Sequence, residues 1–166
     1  MRKLNVIIAF VVLFLGAVNT VNAQAKVAHV NTQEILEKYP EYINAGKQYE
    51  QVSKTYQKEL EDMVAALQKK AQGYDAEAES QDDATNEARM KEINGMEKSI
   101  RDYQTDASKQ LEEKQKQMFA PIIDKVKAAI QKVGKAKGFQ YVLDAQGLLL
   151  ADGPDLTLDV KKELGF

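Results

Sequence analysis

The side chains able to do chemistry are few and poorly grouped. The 166-residue chain has no cysteine and a single histidine, His29. That removes a thiolate nucleophile, a disulfide framework and a multi-histidine metal site. His29 lies in the apolar run Val27-Ala28-His29-Val30, where a lone imidazole reads as a structural group rather than a ligand or a base. Adjacent carboxylates occur at Asp82-Asp83 and Glu112-Glu113. Such pairs do acid–base work when a dry pocket splits their proton affinities, but their neighbours are those of solvated helix faces. No nucleophile–base set and no metal set can be assembled. Catalytic, metal and cofactor residues are therefore expected to be none, and the chain is not expected to be an enzyme.

Charge narrows the partners. Lys+Arg is 23 against Asp+Glu 25, a formal net charge of −2. A protein that coats phosphates shows a basic footprint, so no nucleic-acid partner is expected. The charges are nevertheless unevenly placed. Between Gly73 and Ala88 stand Asp75, Glu77, Glu79, Asp82, Asp83 and Glu87 with no Lys or Arg, whereas Lys109–Lys137 is rich in lysine. Ordinary solubility accounts for this asymmetry; so would a basic shoulder that attracts acidic partners.

The elements that must position these residues are mostly helical. First, Arg2-Lys3, the apolar run Val6–Val18 and Val21-Asn22-Ala23 form the layout of a cleavable secretory leader over 1–23. The run is shorter than the roughly 20 apolar residues of a membrane span. Cleavage leaves Gln24–Phe166, and the loss of Arg2 and Lys3 moves the net charge from −2 by two to −4. Lys26–Asn31 then reads as a strand. Asn31 and Glu34 have capping-box spacing for a helix that Pro40 stops or bends.

From about Ile43 to Met118 there is no proline, and the composition favours helix. Tyr49, Val52, Tyr56, Leu60, Met63, Leu67 and Tyr74 recur at steps of three, four and seven, as do Ile93, Met96, Ile100, Tyr103, Ala107, Leu111 and Met118. Seams this narrow suit a coiled coil. Turn formers at Ser80–Asp83 separate the two series. The region 43–118 therefore reads as a helical-hairpin arm with its tip near 80–83. Pro121 opens a further helical pattern through Val133, ended by Gly134 and Gly138. The helix is expected to kink or break around Phe119-Ala120, which makes Pro121 the candidate hinge between arm and body. Phe139–Leu143 and Leu148–Ala151 read as a strand hairpin around Gly147, and Thr157 as the cap of a last helix, Leu158–Leu164. The fold class is α+β. Segments 24–42 and 119–166 form a small body from both chain ends, and the long antiparallel arm projects from the middle.

This order of features resembles the Skp/OmpH family of periplasmic chaperones. The matching residues are the first strand ending at Val30-Asn31, the charged helical middle, Pro121-Ile122, Val126, Ala129-Ile130, Gly138-Phe139, Val142-Leu143-Asp144, and Asp155-Leu156-Thr157 with Val160. The resemblance implies a homotrimer joined through the bodies. Its arms would enclose a cavity for unfolded outer-membrane proteins and work without ATP in the periplasm. It makes Val27, Val30, Tyr141, Val142, Leu143 and Leu149 the candidate residues of the trimerisation body. Tyr49, Tyr56, Tyr74 and Tyr103 either pack the arm seam or face clients, since tyrosine offers apolar area with a polar tip. The best-known members are strongly basic. This chain is acidic at the arm tip, which disfavours binding to anionic lipid. A coiled-coil spacer or adaptor of the envelope is the alternative reading.

Overall fold

The computed structural model describes residues 25–166; the expected leader lies outside the described residues. Strand β1, Val27–Val30, leads directly into helix α1, Thr32–Lys38. The Asn31 side chain accepts from the Glu34 N–H at 2.9 Å, as its position before the helix requires. The reciprocal half of the capping box is absent. The Asn31 N–H donates to Thr157 Oγ1 at 2.9 Å instead, and the Glu34 carboxylate receives Lys161 at 2.6 Å and Lys38 at 3.0 Å. The last helix sits over this end and supplies the better partners.

Helix α2, Pro40–Glu77, starts with Pro40 in the first turn, where a missing N–H leaves no helix bond unmade. A short 3₁₀ turn, Ala78–Ser80, reverses the chain. Asp82 then caps helix α3, Asp83–Ala136, by accepting from Thr85 N–H at 2.7 Å. The Asn86 side chain donates to the Ala78 carbonyl at 3.0 Å and ties the two limbs at the turn. At 1.5 Å per residue α2 is about 57 Å long and α3 about 81 Å. Their seam residues are half-buried along the whole length, and Ala107 is buried.

Pro121 corrects an expectation. Helix α3 runs without interruption through it, from the arm into the body, so there is no break at Phe119-Ala120 and no separate second helix. Pro121 and Gln117, whose carbonyl loses its donor, are both exposed, so water can satisfy that oxygen. Packing anchors the helix on either side: the Phe119 ring lies 5.1 Å from Tyr42 and 6.2 Å from Tyr49, and Val126 is buried in the body core. Gly134 likewise does not end the helix; it is buried inside it, and the chain leaves the helix near Gly138, at φ +74°.

Strand β2, Tyr141–Asp144, pairs parallel with β1, Val27 opposite Tyr141 and Val30 opposite Asp144. Parallel neighbours need a long crossover, and here the entire arm is that crossover. The expected hairpin is not formed. A 3₁₀ turn, Ala145–Gly147, follows β2, and Leu148–Ala151 is irregular. The free edge of β1 is taken instead by the later segment: His29 N–H donates to Pro154 O, and Leu156 N–H to His29 O, both at 2.9 Å. Helix α4, Thr157–Leu164, closes the body. Its cap also differs from expectation. Thr157 is the first helical residue, and the Asp155 carboxylate accepts from its N–H at 2.8 Å and its hydroxyl at 2.5 Å. Gly165, at φ +89°, ends it. Ile35, Val126 and Val160 are the largest fully buried side chains, one each from α1, α3 and α4, and they pack with Ala28 and Val30 of the sheet.

Candidate functional site

The titratable groups do not converge. His29 is half-buried in β1 with its backbone bridged to the segment before α4. Among the described residues no group of His, Asp and Glu could hold a metal ion. Glu112 and Glu113 are exposed on α3, and Asp82 serves as a helix cap. Its bonds from Thr85 hold its carboxyl below the ordinary aspartate range. What the fold offers is therefore surface: a long arm and one uncovered side of the body.

On the arm, the tyrosines are half-buried and engaged with the opposite limb. Tyr49 lies against Phe119. Tyr56 and Tyr103 face each other at 6.3 Å, and the Tyr103 hydroxyl donates to Glu59. That carboxylate pushes the Tyr103 phenol up to about 12. Tyr74 donates to Glu92, which Lys70 also pairs; the two hold the Glu92 carboxyl below its usual range, Lys70 most strongly. Phe119, which joins Tyr42 and Tyr49, was not among the expected seam positions. It lies one residue past Met118, where α3 turns from arm to body.

Near the tip the two limbs line a groove of about 410 Å³. Ala71, Tyr74, Met90 and Ile93 line it with Arg89 and Asp75. The Arg89 guanidinium stacks on Tyr74, 4.7 Å from the ring centre, and donates to Glu77 at 2.6 Å. The groove escapes sequence reading because Arg89, four residues before Ile93 on the seam, is a charge among apolar positions, and Met90 stands beside the seam. Their being adjacent, just before Ile93, is the one available signal.

The sheet presents the second surface. Ala28, Val30 and Val142 point inward, while Val27, Tyr141 and Leu143 lie on the outer face, 42%, 58% and 42% exposed. Leu149 and Leu150 beyond β2 are also exposed. Of the candidate body residues, Val30 belongs to the chain's own core, and Val142 is half-buried against α3. A parallel sheet normally has both faces covered, and a two-stranded one is marginal alone; this one has a single covered face. The lysines of the shoulder are partly neutralised, for Lys125 pairs Glu41, Lys132 pairs Glu163 and Lys137 pairs Asp159.

A small α+β body carrying a long two-helix arm, with apolar surface exposed on the body, is the architecture the described residues define. The chain belongs to the OmpH-like family: residues 26–164 match its model, described as outer membrane protein (OmpH-like). It is 30% identical over 158 residues to the chaperone protein Skp of Yersinia enterocolitica, covering 92% of this chain and 93% of that one. To the Skp chaperone of Pectobacterium atrosepticum it is 27% identical, with the same coverage. An OmpH-like protein of Caulobacter crescentus superposes with a TM-score of 0.76 at 17% identity, over 86% of this chain and 85% of that one; that likeness speaks for the fold. No helix among the described residues is long and apolar enough to cross a membrane.

Proposed function

We propose that this chain is an ATP-independent holdase of the periplasm. It binds unfolded outer-membrane proteins in a cavity between the arms of a homotrimer and keeps them from aggregating. Residues 1–23 direct it across the inner membrane and are then removed. The observation that carries the reading is the uncovered outer face of the sheet. Val27, Tyr141 and Leu143, with Leu149 and Leu150, are too apolar to be left to water. Neighbouring copies cover them, and the arms then hang side by side from one trimeric body. Holding an unfolded chain needs diffuse contacts and shape rather than a sharp site, which agrees with the absence of a reactive constellation among the described residues.

The geometry of the arm speaks against a spacer. A spacer joins two distant points, whereas this arm leaves the body at Pro40 and returns to it along α3. Its far end is a turn with an acidic approach, which suits neither a tether nor insertion among anionic head groups.

The test is an aggregation assay with an unfolded β-barrel protein and no nucleotide, run beside native mass spectrometry. The full chain is expected to be trimeric and to suppress aggregation. A variant lacking Gln51–Lys109, its limbs rejoined by a short Gly-containing turn, should keep the body and lose the suppression. A monomeric wild type, or undiminished suppression by the armless variant, refutes the cavity reading.

A further inference from the structure

We propose that the groove at each arm tip is a side-chain pocket for an extended client segment in which an apolar residue is flanked by lysine or arginine. The inference rests on the holdase reading and names where, and to which sequences, the arm binds. Three features carry it. The walls are apolar and adaptable: Ala71, Tyr74, Met90 and Ile93 line about 410 Å³, within the range that accepts small-molecule groups. Met90 is 67% exposed at the rim although nothing in the seam calls for an apolar residue there, and its unbranched thioether adapts to differently shaped guests.

The second feature is Arg89. One of its terminal nitrogens donates to Glu77, while the other, Nη1, is buried without an acceptor. A guanidinium has five donors in a fixed fork, and an unsatisfied buried donor is unfavourable. A peptide carbonyl entering the groove as its lining shifts would satisfy it. The third feature is charge. Asp75 lines the groove, and the chain from Gly73 to Ala88 carries Glu77, Glu79, Asp82, Asp83 and Glu87 with no basic residue. The basic groups nearby, Arg89, Lys91 and Lys70, are paired with Glu77, Glu87 and Glu92, which leaves Asp75, Glu79, Asp82 and Asp83 as the net charge. The surroundings therefore repel an acidic segment and attract a basic one, while the neutral carbonyl meets Arg89.

The test uses the full chain with ¹³C-methyl-labelled methionine, the Met90 signal being assigned by its loss in Met90→Gln. Two peptides share one apolar centre; lysines flank it in one and glutamates in the other. The lysine peptide should shift the Met90 methyl saturably, leave Met118 at the arm base unmoved, and bind about tenfold more tightly than the glutamate peptide at low salt. Arg89→Lys, which keeps the charge but loses the fork, should weaken binding with helicity unchanged by circular dichroism. An unmoved Met90 methyl, or equal shifts by both peptides, overturns the proposal. If the wild type still suppresses aggregation in that case, the tip pocket alone has failed. If the wild type suppresses nothing, the holdase reading has failed with it.

Discussion

Gly134 is where the arm-bearing helix and the sheet come closest, and adding one methyl there sets two effects against each other. A Cβ at this position would stand 2.8 Å from Val142 Cγ2. Carbon atoms pack best at roughly 3.5–4.0 Å, so the Val142 methyl would have to give by about 0.7 Å or more, and because valine is stiff at χ1 part of that shift falls on β2. Overpacking of this kind costs about 1–3 kcal/mol. Against it, alanine is a better helix former than glycine by up to about 1 kcal/mol, and less so this near the end of α3 at Ala136. The clash wins, and Gly134→Ala should destabilise by about 1 kcal/mol net. In a Val142→Ala background the obstructing methyl is gone, and the same change should stabilise by a few tenths of a kcal/mol up to about 1 kcal/mol. The coupling in the double-mutant cycle is then about 1–3 kcal/mol. Urea unfolding followed by far-ultraviolet circular dichroism measures it, at one fixed protein concentration because assembly contributes to stability. Native mass spectrometry adds a second readout, since a withdrawn β2 carries Tyr141 and Leu143 with it. Equal stabilisation by Gly134→Ala in both backgrounds would show that β2 does not constrain this glycine and would refute the argument.

Pro121→Ala restores an N–H for the Gln117 carbonyl and should stabilise α3 by up to about 3 kcal/mol. It should also narrow the distance distribution between labels at Ser80 and Gln146; identical distributions in wild type and variant would leave Pro121 without a hinge role. Lys70 and Tyr74 hold the Glu92 carboxyl below its usual 4.5, so its contribution to stability is present above that pH and lost as pH falls through the lowered folded value. Glu92→Gln should therefore be less stable than wild type at pH 7, with the gap in urea midpoint closing well below pH 4.5. The Tyr103 phenol is raised from 10 to about 12 by Glu59, so its contribution is complete below pH 10 and lost as pH rises through about 12. In an ultraviolet titration the Tyr103 phenol should ionise late in wild type and return toward 10 in Glu59→Gln, while Tyr74, raised by its bond to Glu92, should be unchanged by that substitution.

Local rules made much of this chain legible as sequence. The apolar steps from Tyr49 to Tyr74 and from Ile93 to Met118 point to two helices with one seam each, and the turn formers at Ser80–Asp83 to a reversal, which the fold makes over Ala78–Asp82. Asn31 as a cap, Pro40 as the end of the first helix and Gly165 as the stop of the last follow from backbone chemistry that neighbours in space do not alter; that Pro40 also opens the arm helix is what the structure adds.

Tertiary packing decided the rest, because each remaining choice depended on a partner far away in the chain. Leu148–Ala151 has strand chemistry but forms no strand: β2 pairs with β1, and the segment around Asp155 takes β1's other edge. Pro121 reads locally as a break, yet contacts on both sides of it, Phe119 with Tyr42 and Val126 in the core, hold α3 as one helix. Gly134 reads as a stop and is in fact the close approach of helix to sheet. The tip groove arises where two limbs meet in one register, which places Arg89 over Tyr74 although fifteen positions separate them in the chain. Sequence periodicity specifies which face of a helix is apolar. Only the three-dimensional pairing of the faces specifies what remains uncovered, and in this protein the uncovered surface is where binding takes place in the function proposed for it.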